Sequence, residues 1–217
     1  MRFVVTAGPT REAIDPVRFL SNRSSGKMGY AIAEAALAAG HDVTLISGPV
    51  SVVRPAGAQF ISITTSDELH DEVHRAIREC DVLVMCAAVA DYKPAKVEPR
   101  KMKKRKTSFA LELTPTRDIL ASLPKGNREF LVVGFAAETH DLKINARRKL
   151  QEKNCDVIVA NDVSKTDSGM ESAENAVTIF FRDGESKIIS RTSKKIIAHE
   201  LVKIIAKISE KSLTKKR

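Results

Sequence analysis

Six short apolar runs punctuate the chain: Phe3–Thr6, Val43–Ser47, Phe60–Ile63, Val82–Cys86, Leu131–Gly134 and Val157–Ala160. They are rich in Val and Ile, and they are continuous rather than alternating. That is the pattern of strands buried on both faces of a parallel sheet. Helical spacing fills the gaps between them. Met28–Ala39 is rich in alanine and stops at Gly40, a C-terminal signal. Asp67–Cys80 follows Ser66, a good N-cap. Asp141–Asn154 carries Leu142, Ala146 and Leu150 at fourfold spacing, and a last helix over Ser193–Ser209 sets Ile197, Leu201, Ile204 and Ile208 on one stripe. Strands alternating with helices predict an α/β fold, Rossmann-like and doubly wound, with a mostly parallel sheet and helices on both faces. In such sheets ligands bind at the carboxyl ends of the strands.

Two regions break this rhythm. Residues 90–108 read as a long, basic, proline-punctuated loop, a candidate mobile lid. Residues 163–191 contain Val177–Phe181, the turn Asp183-Gly184 and Lys187–Ser190, a C-terminal β-hairpin extension suited to a contact between subunits. Residues 1–217 are expected to form a single domain.

Composition narrows the function. The apolar share of 43% is enough for a full core, and with no Trp that core must be Val, Ile, Leu and Ala. No apolar run reaches the roughly 18 residues of a membrane span, and the N-terminus lacks the order of a signal peptide. Cys80, Cys86 and Cys155 form no CxxC pair and read as reduced thiols, which points to the cytoplasm and to no metal site. A net charge of +9 suits anionic partners: phosphorylated metabolites, nucleotides or nucleic acid. The internal cluster Arg100–Lys106 lacks the interleaved aromatics of a nucleic-acid surface. The tail Lys211, Lys215, Lys216 and Arg217 reads as a solvated end.

The first strand-to-helix connection, Ala7 to Lys27, is unusually long, since such connections ordinarily take a few residues. It leaves the strand through Gly8 and enters the helix through Ser24-Ser25-Gly26-Lys27-Met28-Gly29. Small residues there offer backbone N–H groups and the helix dipole to an anion, or simply cap a tightly packed helix. Neither a Walker A loop nor GxGxxG is present. Within the connection, Arg18 is a clamp for phosphate or carboxylate and Asn22 a neutral donor and acceptor, unless both merely staple the loop. Ala87, Ala88 and Asp91 follow the fourth run: small residues for a ligand's approach and a lone carboxylate, or a turn. Lys101 opens the lysines of the basic loop, and a solvated charge run is its plain alternative. Phe135 suits stacking on a base and Asn161 suits reading base or sugar. Lys149 and Lys153 fall on one helical face, for phosphates or for solvent.

Taken in order, Gly8–Glu12, Asp15–Arg18, Ser21–Gly29, Ala87–Asp91, Gly134–Thr139 and Ala160–Ser164 closely resemble the phosphopantothenoylcysteine synthetase family, bacterial type, over nearly the whole chain. The resemblance implies a ligase of coenzyme A biosynthesis. It would join 4′-phosphopantothenate to L-cysteine through an acyl-cytidylate, with CTP (less readily ATP) as co-substrate and Mg²⁺ shared by its phosphates. It implies a homodimer with no membrane or nucleic-acid partner. The decarboxylase to which bacterial members are commonly fused is not in this sequence, so no flavin and a stand-alone or excised ligase are expected. The resemblance places Asn22 at the substrate carboxylate and acyl intermediate, Arg18 in turnover of that intermediate, and Lys101 on a lid. Ala87, Ala88 and Asp91 come where phosphopantothenate and nucleotide meet. Gly8, Ser24, Gly26 and Gly29 form the phosphate cradle, and Phe135, Lys149, Lys153 and Asn161 meet the nucleotide. One departure is Thr116-Arg117-Asp118-Ile119, where the family often has Pro-Asp-Ile. A nicotinamide-dependent oxidoreductase is the first rival, but it needs a dinucleotide glycine turn and an acid ending the second strand, where Ser47-Gly48-Pro49 stands. A basic nucleic-acid-binding module is the second.

Overall fold

The computed structural model describes residues 1–104, 107–126, 128–138, 140–162 and 172–214. Arg105 and Lys106 of the basic loop, Thr139, the start of the extension at 163–171 and the tail end Lys215–Arg217 lie outside them. In chain order the elements are β1 (Arg2–Ala7), β2 (Arg11–Ala13), β3 (Phe19–Ser21), α1 (Lys27–Ala38), β4 (Asp42–Ser47), β5 (Gln59–Ser62), α2 (Ser66–Ala76), β6 (Val82–Met85), β7 (Tyr92–Pro94), β8 (Leu113–Pro115), β9 (Leu131–Glu138), α3 (Leu142–Glu152), β10 (Val157–Asp162), β11 (Glu174–Phe181), β12 (Ser186–Ser193) and α4 (Lys194–Thr214).

One eight-stranded sheet has the order β12-β11-β10-β9-β6-β1-β4-β5. Pairing from β5 through β10 is parallel. The hairpin β11–β12 continues the sheet antiparallel. This is the α/β, Rossmann-like sheet that the sequence predicts, and the continuous apolar runs explain it. In β1, Phe3 and Val5 pack with α1 and α4 on one face, while Val4 packs with α2 on the other. Ile32, Ile197, Leu201 and Ile205 fill the first layer, and Leu69, Val73, Ala146 and Leu150 the second. Full burial of each such aliphatic side chain contributes about 1.5–3 kcal/mol.

Three local expectations need correction. The N-cap of α2 is Thr65, not Ser66. Thr65 accepts from the Glu68 N–H, and the Glu68 carboxylate accepts from the Thr65 N–H in return, a reciprocal capping box. Ser66 is the first helical residue, and its N–H goes instead to Glu12 Oε1 at 2.8 Å. The first connection is not loop throughout, because β2 and β3 pair as a short antiparallel hairpin inside it. Nor is 90–108 all loop: β7 pairs antiparallel with β8, so the lysines ride on the excursion between the two strands of a small ribbon.

Candidate active site

From β1 the chain winds outward through β4 and β5, then returns past β1 to β6 and winds the other way. The order reverses between β1 and β6, and a crevice opens at the carboxyl ends there. Backbone and hydroxyl bonds fix both lips. The Ala88 N–H donates to Gly8 O at 2.9 Å and the Thr10 N–H to Ala88 O at 3.2 Å. Buried Thr6 Oγ1 accepts from the Cys86 and Ala87 N–H groups, both at 3.1 Å, and Thr10 Oγ1 accepts from the Ala90 N–H at 3.0 Å. With its donors turned inward, the small-residue stretch after β6 lies flush against β1.

Helix α1 points its N-terminus at this crevice. Gly26 caps it in the left-handed region at φ 75°, with no side-chain cap and no acidic residue in the first turn. A Cβ on Gly26 would lie 2.7 Å from Val50 Cγ1 and 3.4 Å from Gly8 Cα, so only glycine fits. The first helical residue is a cation, Lys27. Helix α4 repeats the arrangement: it opens with Lys194, again with no acid in its first turn. Lys194 is only 5% exposed. Burial lowers its pKa, and the nearby Lys27 lowers it further. Two lysines at helix N-termini oppose both dipoles and each other, and a bound anion would offset those repulsions by attracting both cations and both helix N-termini.

A cleft of about 310 Å³ results. Of the residues expected at the site, it brings together Asn22, Ser24, Gly26, Gly29, Ala87, Ala88, Asp91, Phe135, Lys149 and Asn161. Asn22 is fixed by its Nδ2 donating to Val89 O at 2.9 Å. Lys149 Nζ sits 2.7 Å from Glu138 Oε1. Asn161 Oδ1 is buried and accepts no hydrogen bond from the described residues. Cys86 also lines the wall, its thiol pushed up to about 12 by burial and hence protonated at neutral pH.

Four expected residues stand elsewhere. Gly8 lies buried beneath Gly26 rather than on the wall. Lys153 forms an ion pair with Asp118, outside the cleft lining. Arg18 and Lys101 line a separate hollow of about 810 Å³ formed by the β7–β8 excursion. Gly29, although on the wall, is chiefly a packing glycine, since a Cβ there would lie 2.6 Å from Ala7 Cβ. Arg117, the departure from the family pattern, pairs with Asp67 and Asp71 of α2 and does not line the cleft. Asn175 and Lys194 line it without having been anticipated. Neither carries a motif; only the docking of β11 and α4 beside α1 turns them inward.

For a divalent cation the donor set is sparse. Among the described residues no three metal-ligating side chains cluster, and Asp91 is the carboxylate that lines the cleft. That fits a magnesium ion held mostly by a ligand's phosphates with one protein carboxylate beside it.

Fold and cleft together define an α/β protein with a cleft lined by glycines, lysines and one carboxylate at a parallel-sheet switch point. The chain belongs to the DNA/pantothenate metabolism flavoprotein C-terminal domain family, whose model matches residues 1–208. The coenzyme A biosynthesis bifunctional protein CoaBC of Bacillus subtilis is 47% identical over 210 residues, 96% of this chain and 52% of the relative. The chain thus spans about half the length of the curated relatives it matches. A crystal structure of the C-terminal domain of CoaBC superposes with a TM-score of 0.83 at 40% identity, covering 97% of this chain and 96% of that one. The DNA/pantothenate metabolism flavoprotein from Streptococcus pneumoniae shares the fold, with a TM-score of 0.81 at 24% identity over 96% of this chain and 99% of that one.

Proposed function

We propose that the chain is a phosphopantothenate–cysteine ligase of coenzyme A biosynthesis, using CTP as co-substrate. The observation that carries this reading is the single cleft in which Asn22, the Ala87–Asp91 stretch and the α1 N-terminus converge, in a chain matched almost end to end by the family model. The names of the relatives support it, since they are coenzyme A biosynthesis proteins. The reaction runs in two steps. The carboxylate of 4′-phosphopantothenate attacks the α-phosphorus of CTP, forming an acyl-cytidylate and expelling pyrophosphate. The amine of cysteine then attacks the acyl carbon, the C–O bond to CMP breaks, and the amide forms as the amine loses a proton.

The residues act by positioning and by neutralising charge. The α1 N-terminus, Ser24, Lys27 and Lys194 receive phosphate oxygens. Asn22, held by Val89, orients the carboxylate and later the acyl group. Phe135, Lys149 and Asn161 receive the nucleoside. A magnesium ion would sit on the triphosphate beside Asp91, where it supplies neutralising charge. Lys153 reaches the nucleotide only by leaving Asp118. Lys101 belongs to a lid, residues 90–108, that completes the cleft. Gly8 serves as the floor on which Gly26 rests.

The same reading makes the protein cytoplasmic and homodimeric, with contact through the β11–β12 hairpin. Support for that contact is the exposed outer strand, where Ile188 is 74% exposed. No flavin is expected to take part in the reaction of this chain. To test the ligase, the protein is incubated with 4′-phosphopantothenate, cysteine and either CTP or ATP. The expected result is phosphopantothenoylcysteine by mass spectrometry, more with CTP. Absence of that product with either triphosphate overturns the reading.

A further inference from the structure

The tip of the β2–β3 hairpin holds a second segment of the chain. The turn is closed locally, with the Ile14 and Asp15 N–H groups donating to Arg18 O at 2.8 and 3.2 Å. Asp15 is buried at 2% exposure although it carries a carboxylate. Its Oδ1 accepts from the Val17 and Arg18 N–H groups at 2.8 and 2.9 Å. Its Oδ2 accepts from Arg18 Nε at 3.0 Å, Arg18 Nη2 at 2.5 Å and the Met102 N–H at 3.1 Å. The Arg18 guanidinium and these N–H groups hold the Asp15 carboxyl well below the usual carboxylate range.

The last of those bonds leaves the hairpin. Met102 lies on the excursion between β7 and β8, and its carbonyl is held as well, accepting from Arg18 Nη2 at 2.8 Å. A carboxylate on the N–H and a guanidinium on the C=O grip one residue's backbone from both sides. A second tether sits four residues earlier, where the Glu98 N–H donates to Ile14 O at 2.9 Å. Lys101 lies between the two tethers.

We propose that Asp15 is a positioning residue: with Arg18 it fixes Lys101 by gripping the Met102 backbone, and Arg18 acts on the reaction through this loop. A turn that served only to close the hairpin would satisfy its carboxylate within residues 14–18. Here both members of the ion pair reach out to the same distant residue. The hairpin is itself anchored, by Glu12 on the Ser66 N–H at 2.8 Å and by Ser21 Oγ on Thr10 O at 2.8 Å. Asn22 follows directly on β3, about 13 Å from Arg18 at roughly 3.3 Å per extended residue. One small ribbon therefore sets the positions of two groups of the reaction. A lysine on an untethered excursion must lose all its conformational freedom at each turnover, whereas a gripped one has lost part of it beforehand and has less to lose as the lid closes.

The structural half of this proposal stands without the ligase reading; the catalytic half rests on it. Asp15→Asn places an amide donor among converging donors. Arg18→Lys keeps the charge but loses the fork. With trypsin and no ligand, cleavage after Lys101, Lys103 or Lys104 is expected to quicken about tenfold in Asp15→Asn, the effect of losing one charge-assisted hydrogen bond, and severalfold in Arg18→Lys. The milder variant decides if Asp15→Asn fails to fold. Wild-type cleavage rates in a folded variant overturn the grip, whatever the enzyme does. Pyrophosphate release is then measured in a double-mutant cycle with Lys101→Gln. Asp15→Asn is expected to slow release about tenfold in the native background and not at all beside Lys101→Gln. Independent, multiplying losses overturn the positioning role. If wild-type protein releases no pyrophosphate with any triphosphate, the ligase reading falls while the proteolysis result still decides the grip.

Discussion

Asn22 shows how much one side chain is asked to do. Its amide donates to Val89 O at 2.9 Å, so its oxygen is oriented by the same bond that ties the connection to the wall after β6. Asn22→Asp replaces that donor with a carboxylate facing a carbonyl oxygen. Pyrophosphate release is expected to survive in part, while phosphopantothenoylcysteine falls about a hundredfold or more, the scale seen when an oriented polar group at a reacting centre is lost. Full product formation by the variant would refute the role. At this scale the sequence was legible where the residues sit in motifs. Asn22, Ala87, Ala88, Asp91 and Phe135 line one cleft, as their order in the chain implies. Lys194 was not legible. A lysine opening a helix reads as solvated, and it is buried only because α4 packs against α1 across a long stretch of chain. Lys153 shows what spacing leaves out: it falls on one helical face with Lys149, but its charge is paired with Asp118.

Elements were read in proportion to how completely they are buried. The six strands of the parallel region have apolar residues for both faces and so stand out as continuous runs. Strands β2, β3, β7 and β8 have three residues each and pair only with one another, outside the main sheet. With little apolar burial to record, their sequences read as loop. Helix α1 packs closely enough to test. At Gly29 a helix-propensity gain of about 1 kcal/mol favours alanine. Against it, the added Cβ would lie 2.6 Å from Ala7 Cβ and 2.9 Å from Thr6 O, and the backbone there is fixed by sheet pairing on both sides. Overpacking of about 1–3 kcal/mol wins, at the upper end because backbone cannot yield. Gly29→Ala is expected to melt about 3–8 °C lower, at roughly 2–4 °C per kcal/mol for a chain this size. An unchanged or raised melting temperature would show that α1 can move off the sheet.

For the whole molecule, the buried thiols predict a pH limit. Burial pushes Cys80 and Cys155 from an ordinary value of 9.0 up to about 12. Unfolded thiols ionise from about pH 9 while the folded ones stay protonated. Their contribution to stability is therefore complete below pH 9 and lost between pH 9 and 12. Melting temperature is expected to fall across that window, and the thiols to react with a disulfide reagent at pH 8 only after unfolding. Fast labelling of the native protein would contradict this. The cleft, the two helices that open on lysines and the tethered lysine loop support the proposal that a carboxylate is activated by a nucleotide before any amine arrives. The most direct measurement is pyrophosphate released by stoichiometric enzyme from CTP and 4′-phosphopantothenate with cysteine withheld. The predicted result is a burst of about one pyrophosphate per site, with CMP released only when cysteine is added. No pyrophosphate without cysteine, or CMP released together with it, would contradict the account.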